Sequence, residues 1–72
     1  MSRKALEVTV NGEGRRLDPQ SVSALIASEG FDPARPGLAV AINGMVVPRR
    51  DWDSRALQAG DVIEIVKPFS GG

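Results

Sequence analysis

Val62-Ile63-Glu64-Ile65-Val66 is a strongly apolar run, four β-branched aliphatic residues around one glutamate. Its β-branched residues and its length fit a strand rather than a piece of helix. Apolar side chains on both faces, interrupted only by Glu64, mark a strand with neighbours on either side, so the segment is expected at the centre of a sheet. Alternation sends Ile63 and Ile65 to one face and Val62, Glu64 and Val66 to the other. Lys67 and Pro68 then lead off the sheet, and the sequence closes on Pro68-Phe69-Ser70-Gly71-Gly72. Neither terminal glycine has a Cβ, so the pair can lie extended or kinked and enter a channel too narrow for other residues. A tail of this kind can deliver its carboxylate to another protein's active site. The plainer reading is a frayed end, and what the rest of the chain builds has to decide between them.

Moving back from that strand, Leu57-Gln58-Ala59-Gly60-Asp61 is a turn, with Gly60 expected at positive φ. Before it lies the most charged stretch, Arg49-Arg50-Asp51-Trp52-Asp53-Ser54-Arg55. Arginines beside an aromatic are one element of a nucleic-acid stacking platform, but Asp51 and Asp53 neutralise them and no second aromatic follows. Trp52 is therefore expected as a core plug whose indole N–H reaches a polar partner. The arginines are expected on a solvated edge.

Leu38-Ala39-Val40-Ala41-Ile42 alternates large and small residues. Leu38, Val40 and Ile42 face the core, and Ala39 and Ala41 leave the opposite face smooth. Asn43-Gly44 is a strong two-residue hairpin signal, and Met45-Val46-Val47 returns as the partner strand until Pro48. Upstream, the prolines of Phe31-Asp32-Pro33-Ala34-Arg35-Pro36-Gly37 preclude helix or strand, and Phe31 is expected to fold back over the core. Ser21 caps a helix of two to three turns in which Val22, Leu25 and Ile26 form the apolar stripe and Gly30 is the stop. Leu6-Glu7-Val8-Thr9-Val10 alternates as a half-buried strand. Asn11-Gly12-Glu13-Gly14 then turns it into a short second strand at Arg15 to Leu17, of which only Leu17 faces inward. A phosphate-cradling loop is the competing reading of these glycines. It lacks a third glycine, a Lys-Ser/Thr pair and a following helix.

A chain of 72 residues holds one domain, and its 42% hydrophobic and 25% charged composition is that of an ordinary folded globule. Nine basic residues balance nine acidic ones, which leaves no footprint for nucleic acid or an anionic membrane. Cysteine and histidine are both absent. That removes disulfides, thiolate nucleophiles and the residue most used for acid–base catalysis near neutral pH, so no catalytic residues, no metal site and no bound cofactor are expected. With no apolar segment long enough for a leader or a membrane span, the expected location is the cytoplasm.

The order strand, strand, helix, strand, strand, strand followed by Gly-Gly resembles the α+β ubiquitin-like β-grasp, a mixed sheet of four to five strands with one helix on one face. More specifically it resembles the ThiS family, the sulfur carriers of thiamine biosynthesis. The features that carry the resemblance are Val10-Asn11-Gly12, Ser21-Val22 with Leu25 and Ile26, and Ala41-Ile42-Asn43-Gly44. Val47-Pro48-Arg49 with Trp52, then Leu57, Gly60-Asp61 with Ile63, and Gly71-Gly72 complete the set. The implied division is a β-grasp domain at 1–66 and a flexible diglycine tail at 67–72. The proline-rich 31–37 connection and Lys67-Pro68-Phe69-Ser70 depart from the family pattern.

The resemblance implies that the chain is a co-substrate. An adenylating enzyme of the ThiF type uses ATP to activate the Gly72 carboxylate, and a persulfide donor displaces AMP. The resulting thiocarboxylate donates sulfur to a thiazole synthase of the ThiG type. Gly71 gives access to the narrow channel. The face bearing Ala39, Ala41, Val62 and Val66, with Phe69 at the base of the tail, is the expected docking surface, rimmed by Arg49 and Arg50. A carrier for molybdopterin or a secondary metabolite would use the same chemistry, a ubiquitin-like modifier would form isopeptides with lysines, and a plain interaction module would have an inert tail.

Overall fold

The computed structural model describes residues 4–67. Strand β1 spans Leu6–Val10 and β2 spans Glu13–Leu17. Helix α1 covers Val22–Ser28, β3 Ala39–Ile42, β4 Met45–Val46 and β5 Val62–Val66, with a single 3-10 turn at Arg49–Asp51. The sheet order is β2-β1-β5-β3-β4. The pairing of β1 with β5 is parallel and the other pairings are antiparallel, so the sheet is mixed and five-stranded, with β5 in the middle as its apolar run requires.

Both hairpins close with two residues. Asn11 and Gly12 have φ of 49° and 83°, and Asn43 and Gly44 have 53° and 83°, the double positive φ of type I′ turns, whose twist matches that of the flanking strands. Because the first turn uses only Asn11 and Gly12, β2 begins at Glu13, earlier than the sequence suggests, and Gly14 sits in a strand opposite Thr9. The inward face of β2 then carries Arg15 as well as Leu17, opposite Val8 and Leu6. Arg15 is kept there by Glu29 at the helix end, through bonds of 2.6 and 3.0 Å, and by Glu13 at 3.2 Å. Hydrogen bonding to Glu29, then to Glu13, raises the Arg15 pKa further above its ordinary value. The third strand begins at Ala39 rather than Leu38, and β4 is two residues long, Val47 keeping only one bond to Val40 before Pro48.

Helix α1 is about two turns, too short to persist alone, and lies on one sheet face. Ser21 Oγ accepts from Ala24 N–H at 3.2 Å at its start. At its end Gly30, with φ of 93°, donates to Ala27 O while Phe31 donates to Ile26 O, a Schellman closure that turns Phe31 back against the core. The fully buried stripe Val22, Leu25 and Ile26 packs with Val8, Val10, Val40, Ile42, Ile63 and Ile65 from the sheet. Trp52 and Leu57 close the core from the long 47–61 connection, which the bridge between Ser21 and Ala56 ties to the helix start.

Candidate functional site

Strand β5 carries the sequence that leads to the tail, and the two turn asparagines hold it at both ends. At its start, Asn43 N–H donates to Val62 O at 2.8 Å and Asn43 Oδ1 accepts from Val62 N–H at 2.9 Å. Asn43 Nδ2 donates to Asp61 Oδ1 at 3.1 Å. Asp61 is 5% exposed and its second oxygen accepts from Gln58 N–H at 2.8 Å, with Arg55 at 3.9 Å. At its far end, Asn11 Oδ1 accepts from Ile65 N–H at 2.8 Å and Asn11 Nδ2 donates to Ile65 O at 3.3 Å. Each side chain imitates a strand neighbour where the hairpin turns away. The sequence announces both asparagines as turn formers, but nothing local in it announces bonds to a strand so far along the chain.

The face of the sheet turned away from α1 is set by register. Ala39 lies opposite Val66, Ala41 opposite Glu64 on one side and Val46 on the other, and Thr9 beside Val62. Val62 and Val66 are 49% and 59% exposed, and Val46 is 75% exposed. The expected alanine-valine face thus exists as a contiguous surface. Val46 extends it to the sheet edge, a residue the sequence reading assigned to the strand without giving it a face. Glu64 lies within the patch, flanked along β5 by the two valines.

Arg49 is placed differently from a rim contact. Its guanidinium donates to the main-chain oxygens of Pro33, Arg35 (2.7 Å) and Leu38 (3.4 Å) and stacks 4.4 Å from the centre of the Trp52 ring. It clasps the proline-rich connection onto the indole, and this accounts for an arginine close to the tryptophan. Trp52 is 3% exposed and donates from Nε1 to Val47 O at 2.9 Å, the plug with a polar partner that its sequence context predicts. Arg50 is exposed in the 3-10 turn. Phe69, Gly71 and Gly72 lie outside the described residues.

Among the described residues no group of three acidic side chains is arranged to hold a metal ion, and no helix is long and apolar enough to cross a membrane. A hollow of about 300 Å³ between β4 and the 3-10 turn is bordered by Met45, Val46, Pro48, Asp51 and Arg55. It offers one carboxylate and one guanidinium, with no hydroxyl, thiol or imidazole beside them. What the fold presents is a surface and a firmly held strand.

Comparisons with known proteins agree with that geometry. The family model described as "ThiS family" matches residues 8–72. The sulfur carrier protein ThiS of Escherichia coli K12 is 38% identical over 53 residues, covering 74% of this chain and 77% of that protein. The crystal structure of a thiamine biosynthesis protein (ThiS) from Geobacter metallireducens superposes with a TM-score of 0.74 at 27% identity. That alignment covers 93% of this chain and all of the other. The solution structure of a thiamine biosynthesis protein from the same organism gives 0.77 at 27% identity, over 93% and 88%. With a β-grasp sheet, two asparagine-glycine hairpins bracketing the strand that leads to Gly71-Gly72, and a family match through residue 72, the chain belongs to the ThiS family.

Proposed function

We propose that this chain is the sulfur carrier of thiazole assembly in thiamine biosynthesis, with the Gly72 carboxylate as its reacting group. The observation that supports the reading is the family match over residues 8–72, a range that includes the diglycine. A carboxylate is a poor electrophile. Attack of its oxygen on the α-phosphorus of ATP, in a partner enzyme, releases pyrophosphate and leaves an acyl-adenylate whose leaving group is AMP. Persulfide sulfur from a donor displaces AMP, and cleavage of the S–S bond by a donor thiol leaves the thiocarboxylate, which passes sulfur to the thiazole-forming synthase. The chain has no cysteine or histidine of its own, and in this reading the partners supply the sulfur, the base and the nucleotide site. Its own contribution is to present Gly72 and to be recognised through Ala39, Ala41, Val46, Val62 and Val66, with Phe69 and Arg50 as further contacts.

Intact-mass measurement after incubation with ATP, a sulfur donor and a ThiF-type adenylating enzyme tests the reading. Replacement of one C-terminal oxygen by sulfur is expected, and an unmodified mass with an enzyme that thiocarboxylates another carrier would overturn it. Gly71→Ala is expected to slow adenylation about tenfold or more through a Cβ in the narrow channel, with unchanged thermal stability. Pyrophosphate release measures the first effect and calorimetry the second.

A further inference from the structure

Strand β1 stops at Val10, and its last main-chain bond to β5 is from Asn11 N–H to Ile63 O. Strand β5 runs on through Val66. Along this overhang β3 still pairs with β5, Val40 opposite Ile65 and Ala39 opposite Val66. On the β1 side, both main-chain groups of Ile65 are held by the Asn11 side chain, at 2.8 and 3.3 Å. The turn does not require an amide there, since glycine also adopts the φ of 49° that Asn11 has.

We infer that Asn11 is a positioning residue for sulfur transfer: its side-chain amide fixes the end of β5, the base from which the tail reaches the activating enzyme. The inference rests on the proposal that Gly72 is the reacting group. An end of β5 held by β3 alone would leave its sheet position part of the time. A carrier whose binding-competent form is only fractionally populated binds more weakly by that fraction, while the chemistry on the seated carboxylate is unaltered. The signature is therefore a raised KM for the carrier at unchanged kcat.

Asn11→Gly removes the amide and keeps the turn. Asn43→Gly is the control, because it removes the other amide, with its bonds to Val62 and Asp61, at the opposite end of β5. In Asn11→Gly the Ile65 amide is expected to exchange with solvent about tenfold faster, and KM for the adenylating enzyme to rise about five- to tenfold, the loss of two ordinary hydrogen bonds. Asn43→Gly is expected to lower the melting temperature and leave KM near the wild-type value. Asn11→Asp, which retains the acceptor for Ile65 N–H and loses the donor, is expected to fall between wild type and Asn11→Gly. Ile65 exchange as slow in Asn11→Gly as in the wild type overturns the inference with no enzyme present. Faster exchange with unchanged KM, or an equal rise in KM for Asn43→Gly, reduces Asn11 to a structural role and overturns it too. A wild-type chain that is never modified at Gly72 overturns the proposed function instead, and the exchange measurement still decides the clamp.

Discussion

Arg49 is exposed by area yet committed by chemistry, its guanidinium shared among the carbonyl groups of the 33–38 connection and the face of Trp52. A planar fork can satisfy several acceptors while stacking, and an ammonium cannot. Arg49→Ala is accordingly expected to lower unfolding free energy by about 1–2 kcal/mol in urea titrations, with Arg49→Lys recovering less than half of it. The sequence shows an arginine three residues before a tryptophan, but the acceptors are main-chain oxygens, which have no signature in the side-chain alphabet. The same blindness hides Asp61, which follows a turn glycine and would be taken for a solvated turn carboxylate. Its burial depends on Gln58 N–H and Asn43 Nδ2, contacts made only once the hairpin has docked.

Helix α1 shows what its ends are worth to an element that cannot stand alone. A Cβ built on Gly30 meets nothing within 4 Å, so the cost of a side chain there is conformational: φ of 93° is a region L-residues rarely occupy. Gly30→Ala is expected to destabilise by about 1–2 kcal/mol, measured by thermal or urea unfolding, with the core intact. Elements with a clean period were legible in the sequence. The 2-period of Leu6–Val10 and Val62–Val66 and the Val22, Leu25, Ile26 stripe all gave the correct buried faces. Ends were less legible, because two closely spaced glycines, Gly12 and Gly14, leave the turn length open, and only pairing with β1 puts Gly14 in the ladder. The stretch from 47 to 61 has no period at all. Its inward residues, Trp52 and Leu57, are selected by the hole left between helix and sheet, a three-dimensional quantity.

At the scale of the molecule, the sheet separates two tasks. One face is closed by α1 and the 47–61 connection, and the other bears Ala39, Ala41, Val46, Val62 and Val66 at its surface. Val46→Lys with Val66→Lys keeps the first face and charges the second. The pair is expected to weaken association with the adenylating enzyme about tenfold or more in titration calorimetry, at a stability cost within about 1 kcal/mol. The fold class followed from the order of elements, read from strand alternation, turn signals and the helical stripe together, and alternation put Ala39, Ala41, Val62 and Val66 on one face, whereas the extension through Val46 needed the register with Ala41. The position of β5 has a consequence for how the molecule is made. Strands β1 and β2 form one hairpin and β3 and β4 another, and no strand of the first pairs with a strand of the second except through β5. Each hairpin alone is too small to hold together in water. During synthesis the protein must therefore remain unassembled until β5 is available, and a chain that stops short of that strand has no joined sheet. A copy that stops before β5 would thus lack Val62 and Val66, and with them the continuous apolar face that they share with Ala39 and Ala41.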